Sequence, residues 1–210
     1  NSSNFEDFRI GGIDKFNKEI CRNTFHSDTS EFVYQKYSIL PHQKQILDKL
    51  RVEREDRGNN KNLIVAATGT GKTITSLNCL LEVYKKTGYY KAIILVPTIT
   101  LVNQWENECK RFRFNNIIKV YSKRPKWKSD IESLHLQERI YGGEDKVSYV
   151  VIATYASFAK DGSFDLLNSL SSRAMLIADE AHNMGSGGIR KKLPMIRYKR
   201  RIGLSATPDR

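Results

Sequence analysis

The sequence lacks the features that mark secreted, zinc-binding and membrane-spanning proteins. Its three cysteines are odd in number and widely separated, without the Cys-x-x-Cys spacing of a zinc site or the pattern of a disulfide framework. They are Cys21, Cys79 and Cys109. No apolar run reaches the roughly 18 residues that a membrane-spanning helix requires. These absences favour a reducing compartment, and we predict a cytoplasmic protein without a membrane partner.

Metal-binding patterns, repeats and targeting signals are also absent from the sequence. His26, His42 and His135 lack metal-ligand spacing, so each is interpreted as a surface or packing residue. There are no internal repeats, no low-complexity tract and no visible signal peptide. Because the first residue is Asn1 rather than Met, we expect the chain to be cut from a longer protein whose original leader would not be seen.

Positive charge is present in excess. The 210 residues contain 35 lysines and arginines against 23 acidic residues, a formal net charge of +12. A field of that sign attracts polyanions, with nucleic acid as the leading partner and an anionic membrane surface as the lesser one. The hydrophobic content of 40% and the charged content of 28% are ordinary for a globular protein.

The segment 66–73, Ala-Ala-Thr-Gly-Thr-Gly-Lys-Thr, is the most informative stretch. It follows an apolar run and precedes a helical pattern, which is the order that a triphosphate-binding loop requires. Glycines let backbone N–H groups converge on phosphate oxygens, and the helix adds the positive end of its dipole. Lys72 can then reach the terminal phosphates, while the hydroxyl of Thr73 can ligate Mg²⁺. The alternative is a glycine-rich turn followed by an unrelated lysine.

Strand-like and helix-like runs alternate beyond this loop. Continuous apolar runs such as 93–96 and 150–152 are typical of strands buried on both faces of a parallel sheet. We therefore predict the α/β fold class, with a mainly parallel sheet and helices on both faces, over residues 38–210. Residues 1–37 show no clear period and are interpreted as an N-terminal arm or accessory segment. Residues 122–148 interrupt the alternation and are interpreted as an insertion.

Several basic runs leave two interpretations open. The run 122–128 contains an embedded tryptophan, and it is either a nucleic-acid contact or a solvated surface excursion. The runs 110–113, 190–192 and 197–201 either bind strand phosphates or shield the surface and edge of the sheet. Contacts of this kind would position a strand without reading its base sequence.

The tetrapeptide Asp-Glu-Ala-His at 179–182 carries the second chemical signal, directly after an apolar run. Nucleotide hydrolysis needs one carboxylate to hold Mg²⁺ and another to orient the attacking water. We predict that Asp179 holds the metal and that Glu180 polarises the water. The alternative is an ordinary helix start with two acids near the positive end of the dipole.

The predicted functional residues share one position relative to the strands. The glycine-rich loop, Pro97, Thr154, Asp179 and Ser205 each come directly after a predicted strand. Because ligands of open α/β sheets collect at the carboxyl ends of the strands, one edge of the sheet would gather all of these residues.

Together these motifs resemble the superfamily 2 helicases and translocases of the Asp-Glu-Ala-His type, from about residue 39 to residue 210. Six blocks match in order: 39–43, 67–73, 96–98 with 101–105, 153–155, 179–182 and 205–208. Leu40 and His42 stand where the family's first block has Arg and Tyr. The residues flanking the last block fit the branches of restriction-enzyme Res subunits and excision-repair helicases. The resemblance implies a RecA-like P-loop NTPase domain, the first of two in the family.

The resemblance also implies roles for individual residues. The ATP-binding residues would be Gln43, Thr68, Gly69, Thr70, Gly71, Lys72 and Thr73, with Gln43 reading adenine. The catalytic residues would be Lys72, Asp179, Glu180 and His182, and Mg²⁺ would be held by Thr73 and Asp179. The nucleic-acid contacts would be Pro97, Thr98 and Thr154, and the coupling residues would be Ser205 and Thr207.

The family's second RecA-like domain, which supplies an arginine finger, has no counterpart in the 210 residues. The resemblance therefore implies the ATP-binding lobe of a helicase or translocase that moves on DNA, in preference to RNA, within a restriction, repair or defence enzyme. Its partners would be nucleic acid and that second domain. An arginine finger contributes on the order of a thousandfold or more to phosphoryl transfer, so we expect weak nucleotide binding and little turnover from these residues alone.

Two other functional classes stay open at this point. One is a P-loop kinase or a GTPase switch that acts on a partner other than nucleic acid. The sequence lacks the Asn-Lys-x-Asp block that reads guanine, and adjacent acids favour hydrolysis by water over transfer to a metabolite. The other is a nucleic-acid-binding module that retains the fold without the enzymatic activity.

Overall fold

A computed structural model of the protein describes residues 6–9, 39–140 and 147–206. Seven strands occur in this part of the chain. They are β1 (Glu6–Arg9), β2 (Lys61–Val65), β3 (Lys91–Val96), β4 (Ile117–Val120), β5 (Tyr149–Thr154), β6 (Met175–Ala178) and β7 (Arg200–Ser205).

Helices connect most of the strands. They are α1 (Pro41–Arg57), α2 (Lys72–Thr87), α3 (Ile99–Arg111), α4 (Trp127–Ile140), α5 (Tyr155–Phe158), α6 (Asp161–Asn168) and α7 (Gly187–Arg190). Two short 3₁₀ helices, Ala181–Gly185 and Leu193–Met195, lie between β6 and β7. None of the helices in the described ranges is long and apolar enough to cross a membrane.

The seven strands form one sheet in the order β1-β2-β7-β6-β3-β5-β4, and every neighbouring pair is parallel. All six residues of β3 and all six of β5 are buried, because helices cover both faces of the sheet. This arrangement confirms the predicted α/β class with a parallel sheet. The topology places β7, which follows the other six strands in the chain, between β2 and β6.

The helix boundaries follow from local chemistry. Pro41 occupies the first turn of α1, where a backbone N–H would have no acceptor within the helix, so the N–H that proline lacks costs no hydrogen bond. Gly58 and Gly88 end α1 and α2 in the left-handed conformation, with φ angles of 64° and 77°. The sequence pattern predicts a helix over 72–87 and strands over 91–96 and 149–154, and these are the bounds of α2, β3 and β5.

Two apolar cores lie on opposite faces of the sheet. The first joins the buried faces of α1, α2 and α3 to alternate residues of the strands, such as Ile94 and Ile177. The second joins α4, α5 and α6 to the intervening strand residues, such as Ile93 and Leu176. Successive strand residues point to opposite faces, so each strand contributes to both cores.

The predicted insertion contains a helix that the sequence did not predict. Helix α4 lies between β4 and β5, and its residues Trp127, Ile131 and Leu134 are buried in the second core. Trp127 is only 5% exposed, so the aromatic ring of the basic run packs inside the protein. In the same way, the predicted N-terminal arm contains β1, which pairs with β2.

Some predictions fall outside the described residues. They concern Cys21, His26, Thr207, residues 141–146 of the predicted insertion and the remainder of the arm 1–37. Two cysteines are described, Cys79 and Cys109, and both are buried free thiols.

Candidate active site

The predicted phosphate-binding loop connects β2 to α2. Gly69 and Gly71 have φ angles of 84° and 80°, a region that glycine adopts readily. A Cβ atom added to Gly71 would lie 2.4 Å from Nε2 of Gln43. The hydroxyl of Thr70 donates to the carbonyl of Ala67 at 2.8 Å and closes the loop on itself. The backbone conformation therefore favours glycine at position 71, and a side chain there would displace the amide of Gln43.

The tip of the loop is exposed to solvent, and the end of the loop leads into the first turn of the long helix α2. Thr68 and Gly69 are exposed, and Thr73 is half-buried in the first turn of α2. Helix α2 has 16 residues, and Gly71 caps its amino end. The free N–H groups of that end and the helix dipole make it suitable for an anion such as phosphate.

Lys72 is folded back onto the loop. Its ammonium group donates to the carbonyl of Ala66 at 2.8 Å and to that of Ala67 at 3.1 Å. Burial lowers the pKa of Lys72, and the negative charges of Glu180 and Asp179 act in the opposite direction. The charges of the two carboxylates therefore act on the ammonium of Lys72.

Asp179 follows the last residue of β6 and is held by several hydrogen bonds. The indole of Trp105 donates from Nε1 to Oδ2 at 2.9 Å, and the backbone N–H of Glu180 donates to Oδ1 at 3.1 Å. The hydroxyl of Tyr155 donates to the backbone carbonyl of Asp179 at 2.7 Å. Burial raises the pKa of Asp179, while the hydrogen bond from Trp105 favours the ionised form.

Glu180 adopts a backbone conformation that is rare for its residue type. Its φ and ψ angles of 50° and 62° lie in the left-handed region, at a cost of roughly 1–2 kcal/mol for a residue with a Cβ. Nδ1 of His182 lies 3.5 Å from Oε2 of Glu180. Asn183 donates from Nδ2 to the carbonyl of Glu180 at 2.9 Å and lies 3.3 Å from Nε2 of His182. Strain of this kind persists where the surrounding structure holds it, which is common in active sites.

The start of α1 is attached to the phosphate loop. Oε1 of Gln43 accepts a hydrogen bond from the backbone of Leu40 at 3.1 Å. His42, predicted as a surface or packing residue, is buried, and its Nε2 lies 3.0 Å from the carbonyl of Thr70. Gln43 is 3% exposed and lies against Gly71, so the residue predicted to read adenine sits beside the loop.

A cavity of about 430 Å³ opens beside the amino end of α2. It is lined by Leu40, Gln43, Thr70, Gly71, Thr73, Ile74, Gln104, Trp105, Asn107, Glu108 and Arg111. Its volume lies in the range of roughly 300–1,000 Å³ that is typical of small-molecule sites. One wall is the predicted nucleotide-binding loop, and the opposite wall is α3, which the sequence does not predict as part of the site.

The donor atoms at this edge suit magnesium. Thr73 offers a hydroxyl and Asp179 a carboxylate, and Mg²⁺ at phosphate sites is held by one or two carboxylates together with phosphate and water oxygens. Within 39–140 and 147–206, no group of three or more His, Cys, Asp or Glu residues could hold a metal alone. The residues therefore fit an ion that arrives with a triphosphate, in preference to a metal caged by protein.

The predicted nucleic-acid contacts lie at the ends of β3 and β5. Thr98 is exposed and caps α3, with its Oγ1 accepting from the N–H of Leu101 at 3.3 Å. Thr154 caps α5, but it is 6% exposed and its hydroxyl donates to Oγ of Ser157 at 3.0 Å. Pro97 is half-buried next to Thr98. A direct phosphate contact by the Thr154 hydroxyl would require its bond to Ser157 to open.

The predicted coupling residue Ser205 ends β7 and is 3% exposed. Its carbonyl accepts a hydrogen bond from the N–H of Ala66 at 3.0 Å, which joins the end of β7 to the start of the phosphate loop. The second predicted coupling residue, Thr207, belongs to the last residues that are not described.

The basic runs are partly neutralised within the protein. Lys110 pairs with Glu106 at 2.8 Å, and Arg111 pairs with Glu108 at 2.7 Å. The guanidinium of Arg201 donates to two backbone carbonyls close to it in sequence, at 2.7 and 2.9 Å. The role of these runs in strand binding stays a prediction.

Trp105 and Tyr155 are residues of the site for which the sequence predicts no role. Both lie inside matched blocks, 101–105 and 153–155, yet nothing in their spacing indicates a bond to Asp179. A buried tryptophan N–H or tyrosine O–H usually finds an acceptor, so their polar groups are the only sequence signal.

Known proteins resemble this chain in sequence and fold. The family described as "Type III restriction enzyme, res subunit" matches residues 36–210. DNA 3'-5' translocase XPB2 of Sulfurisphaera tokodaii is 28% identical over 159 residues, 75% of this chain and 28% of that protein. UvrABC system protein B of Bacillus cereus is 34% identical over 89 residues, 42% of this chain and 13% of that protein. The chain thus spans a minor part of the length of both relatives.

The fold recurs in a solved structure of a nuclease-deletion mutant of the Type ISP restriction-modification enzyme LlaGI in complex with a DNA substrate mimic. That match covers 81% of this chain and 18% of the other, with a TM-score of 0.62 and 23% identity. It confirms the predicted RecA-like fold, and the family match confirms the resemblance to superfamily 2 helicases and translocases. Because the match of residues 36–210 spans most of the sequence, the chain belongs to the family of Type III restriction enzyme res subunits.

Proposed function

We propose that this chain is the ATP-binding lobe of an ATP-dependent helicase or translocase that couples hydrolysis to movement on DNA. The observation that carries the proposal is the convergence of Lys72, Asp179 and Glu180 at one edge of the sheet, beside the amino end of α2. There, Lys72 is suited to bind phosphate, Asp179 to bind a metal ion and Glu180 to orient water. The family match and the relative named as a DNA translocase support the same function.

The loop would bind the triphosphate through its backbone and through Lys72. The ammonium now donates to two loop carbonyls, and phosphate oxygens would replace these acceptors when a nucleotide binds. A partly desolvated ammonium interacts more strongly with phosphate than an exposed one does. Gln43, beside Gly71, would contact the adenine, and the cavity next to it would accept the rest of the nucleoside.

Thr73 and Asp179 would hold Mg²⁺, which neutralises charge on the transferring phosphoryl group. Two hydrogen bonds orient the carboxylate of Asp179, one to each oxygen, and leave further lone pairs for the metal. Glu180, fixed in the next position, would orient the attacking water. His182, beside Glu180, would link the hydrolytic residues to the β7 end at Ser205 and Thr207.

The DNA strand would contact the ends of β3 and β5, through Pro97, Thr98 and Thr154. A net charge of +12 favours such binding, and the charge on phosphate makes it depend on salt. DNA is favoured over RNA because the translocase relative is named for DNA. The setting would be a restriction, repair or defence enzyme in the cytoplasm, where buried free thiols such as Cys79 and Cys109 stay reduced.

A second RecA-like domain would complete the site with its arginine finger. Without that group, the rate of phosphoryl transfer would be lower by roughly a thousandfold or more. The 210 residues alone should therefore bind ATP weakly and turn it over slowly.

The test measures ATP hydrolysis by the intact protein that contains this chain, with duplex DNA, single-stranded DNA and RNA in turn. We expect DNA to stimulate hydrolysis and the substitution Lys72→Ala to reduce it by about 10²–10³-fold, since a charge-stabilising donor is removed. Lys85→Ala is the matched control, because Lys85 is exposed in the same helix.

Three results would contradict the proposal. A preference for guanine nucleotides or transfer of phosphate to a metabolite would indicate a switch or a kinase. DNA binding with a steep salt dependence, unaffected by ATP and by Lys72→Ala, would indicate a binding module without motor activity.

A further inference from the structure

Asp179 is fixed by contacts from both faces of the sheet. Trp105 reaches it from α3 in the first core, and Tyr155 reaches it from α5 in the second core. Trp105 is 2% exposed and Tyr155 is 6% exposed, so both hydrogen-bond donors are largely shielded from water. The N–H of Asp179 also donates to the carbonyl of Leu95 at 2.9 Å.

The peptide unit between the two acidic residues is held at both ends. Its carbonyl, which belongs to Asp179, accepts from the hydroxyl of Tyr155. Its N–H, which belongs to Glu180, donates to Oδ1 of Asp179. Tyr155 and the carboxylate of Asp179 thus both hold the peptide plane that precedes the left-handed residue Glu180.

The two supporting side chains belong to helices that begin at the predicted strand contacts. Thr98 caps α3, and Trp105 follows about two turns later in the same helix. Thr154 caps α5, and Tyr155 is the first residue of that helix. A displacement of either helix start would therefore reach Asp179 through one helix and one hydrogen bond.

We propose that Trp105 and Tyr155 are positioning residues for Asp179 and Glu180, and that a strand bound at the starts of α3 and α5 acts on the nucleotide site through them. This inference rests on the proposed function, since it assumes a strand at these helix starts. This path differs from the coupling role that the resemblance implies for Ser205 and Thr207, because it joins α3 and α5 directly to Asp179. Small displacements matter here, since a misplacement of about 1 Å can lower a rate by a hundredfold.

The test removes each hydrogen bond in the intact protein and leaves the ring in place. Trp105→Phe removes the indole donor, and Tyr155→Phe removes the hydroxyl. Trp127→Phe and Tyr198→Phe are matched controls: Trp127 is a buried tryptophan of the second core, and the buried hydroxyl of Tyr198 donates to the carbonyl of Leu167 far from the site.

Two quantities are measured for each variant. The first is the Mg²⁺ concentration that gives half-maximal binding of a non-hydrolysable ATP analogue. The second is the ratio of kcat with DNA to kcat without DNA, together with the Kd for the same DNA. We expect Trp105→Phe to raise the Mg²⁺ midpoint about tenfold, because it removes a hydrogen bond to a charged group. We expect both variants to lower the DNA stimulation ratio by about tenfold while the Kd for DNA stays within about twofold.

A structural role alone would change thermal stability and would leave these two quantities at the control values, and that result would overturn the proposal. If Trp105→Phe does not fold, replacement of Trp105 by 3-benzothienylalanine keeps the shape of the ring and removes only the donor. A wild-type protein without DNA stimulation would contradict the proposed function and the strand path. In that case, a Mg²⁺ midpoint unchanged by the loss of the Trp105 donor would overturn the positioning role as well.

Discussion

The phosphate loop and the acidic pair meet at one edge of the sheet but are built differently. Three of the hydrogen bonds that shape the loop around Lys72 span three to six residues of the chain. Asp179 is held instead by Trp105 and Tyr155, which lie 74 and 24 residues away in sequence. A short motif can therefore specify the loop, whereas the geometry of the acidic pair depends on the completed fold.

The largest expected effect is on the rate of hydrolysis, and it distinguishes the role of the acidic pair from that of the phosphate loop. Glu180→Gln keeps the size of the side chain and removes the charge that orients water, so hydrolysis should fall by about 10²–10⁴-fold. Binding of a non-hydrolysable ATP analogue should stay near the wild-type value, because the loop is unchanged. Steady-state kinetics and analogue titration measure the two quantities. Asp165→Asn, an exposed carboxylate on α6, is the control.

If Glu180→Gln weakened analogue binding as much as it lowered hydrolysis, the distinction between the loop and the acidic pair would be contradicted. It would show that the loop and the acidic pair act as one unit and that the acid is required for the loop to take up the nucleotide.

A smaller effect tests how the loop is shaped. Gly71→Ala and Gly88→Ala place a Cβ on residues with φ angles of 80° and 77°, so each should lower the free energy of unfolding by roughly 1–2 kcal/mol. The added Cβ meets nothing within 4 Å at Gly88, but at Gly71 it lies 2.4 Å from Nε2 of Gln43. Only Gly71→Ala should therefore also weaken analogue binding. Chemical denaturation and analogue titration provide the measurements, and equal binding by both variants would show that the approach of Gln43 has no role.

The smallest expected effect concerns the stability cost of the acidic pair. Burial raises the pKa of Asp179, so the folded protein keeps this proton to higher pH than the unfolded chain does. The stability of the wild type relative to Asp179→Asn should be highest below the unfolded pKa of about 3.9 and should decrease as pH rises through the folded pKa. Urea unfolding between about pH 4 and pH 7 measures this difference.

Asp165→Asn, at an exposed carboxylate, is again the control variant. A difference between wild type and Asp179→Asn that is constant with pH would mean that the carboxylate is better solvated than its burial indicates.

The sequence predicts those parts of the fold whose signals are local. The bounds of α2, β3 and β5 follow from continuous apolar or helical patterns, and the glycine-rich loop is specified within eight residues. Helix α4 is harder to predict because charged residues surround Trp127, although Trp127, Ile131 and Leu134 recur at helical spacing.

The supports of the site could not be predicted from local patterns. The bond from Trp105 to Asp179 forms only when α3 and β6 pack together, and the contact of His42 with the Thr70 carbonyl spans 28 residues. No spacing rule relates residues so far apart. Motifs therefore identify the reacting groups, and the side chains that orient them emerge only in three dimensions.

The position of β7 has a consequence for how the protein is made. The strand that leads into Lys72 and the strand that leads into Asp179 are both paired with β7, which lies between them. While a ribosome is still synthesising the chain, the gap between those two strands stays open until residues 200–205 have emerged from the exit tunnel. A chain that stops before Arg200 therefore lacks the strand that joins β2 to β6 at the candidate site.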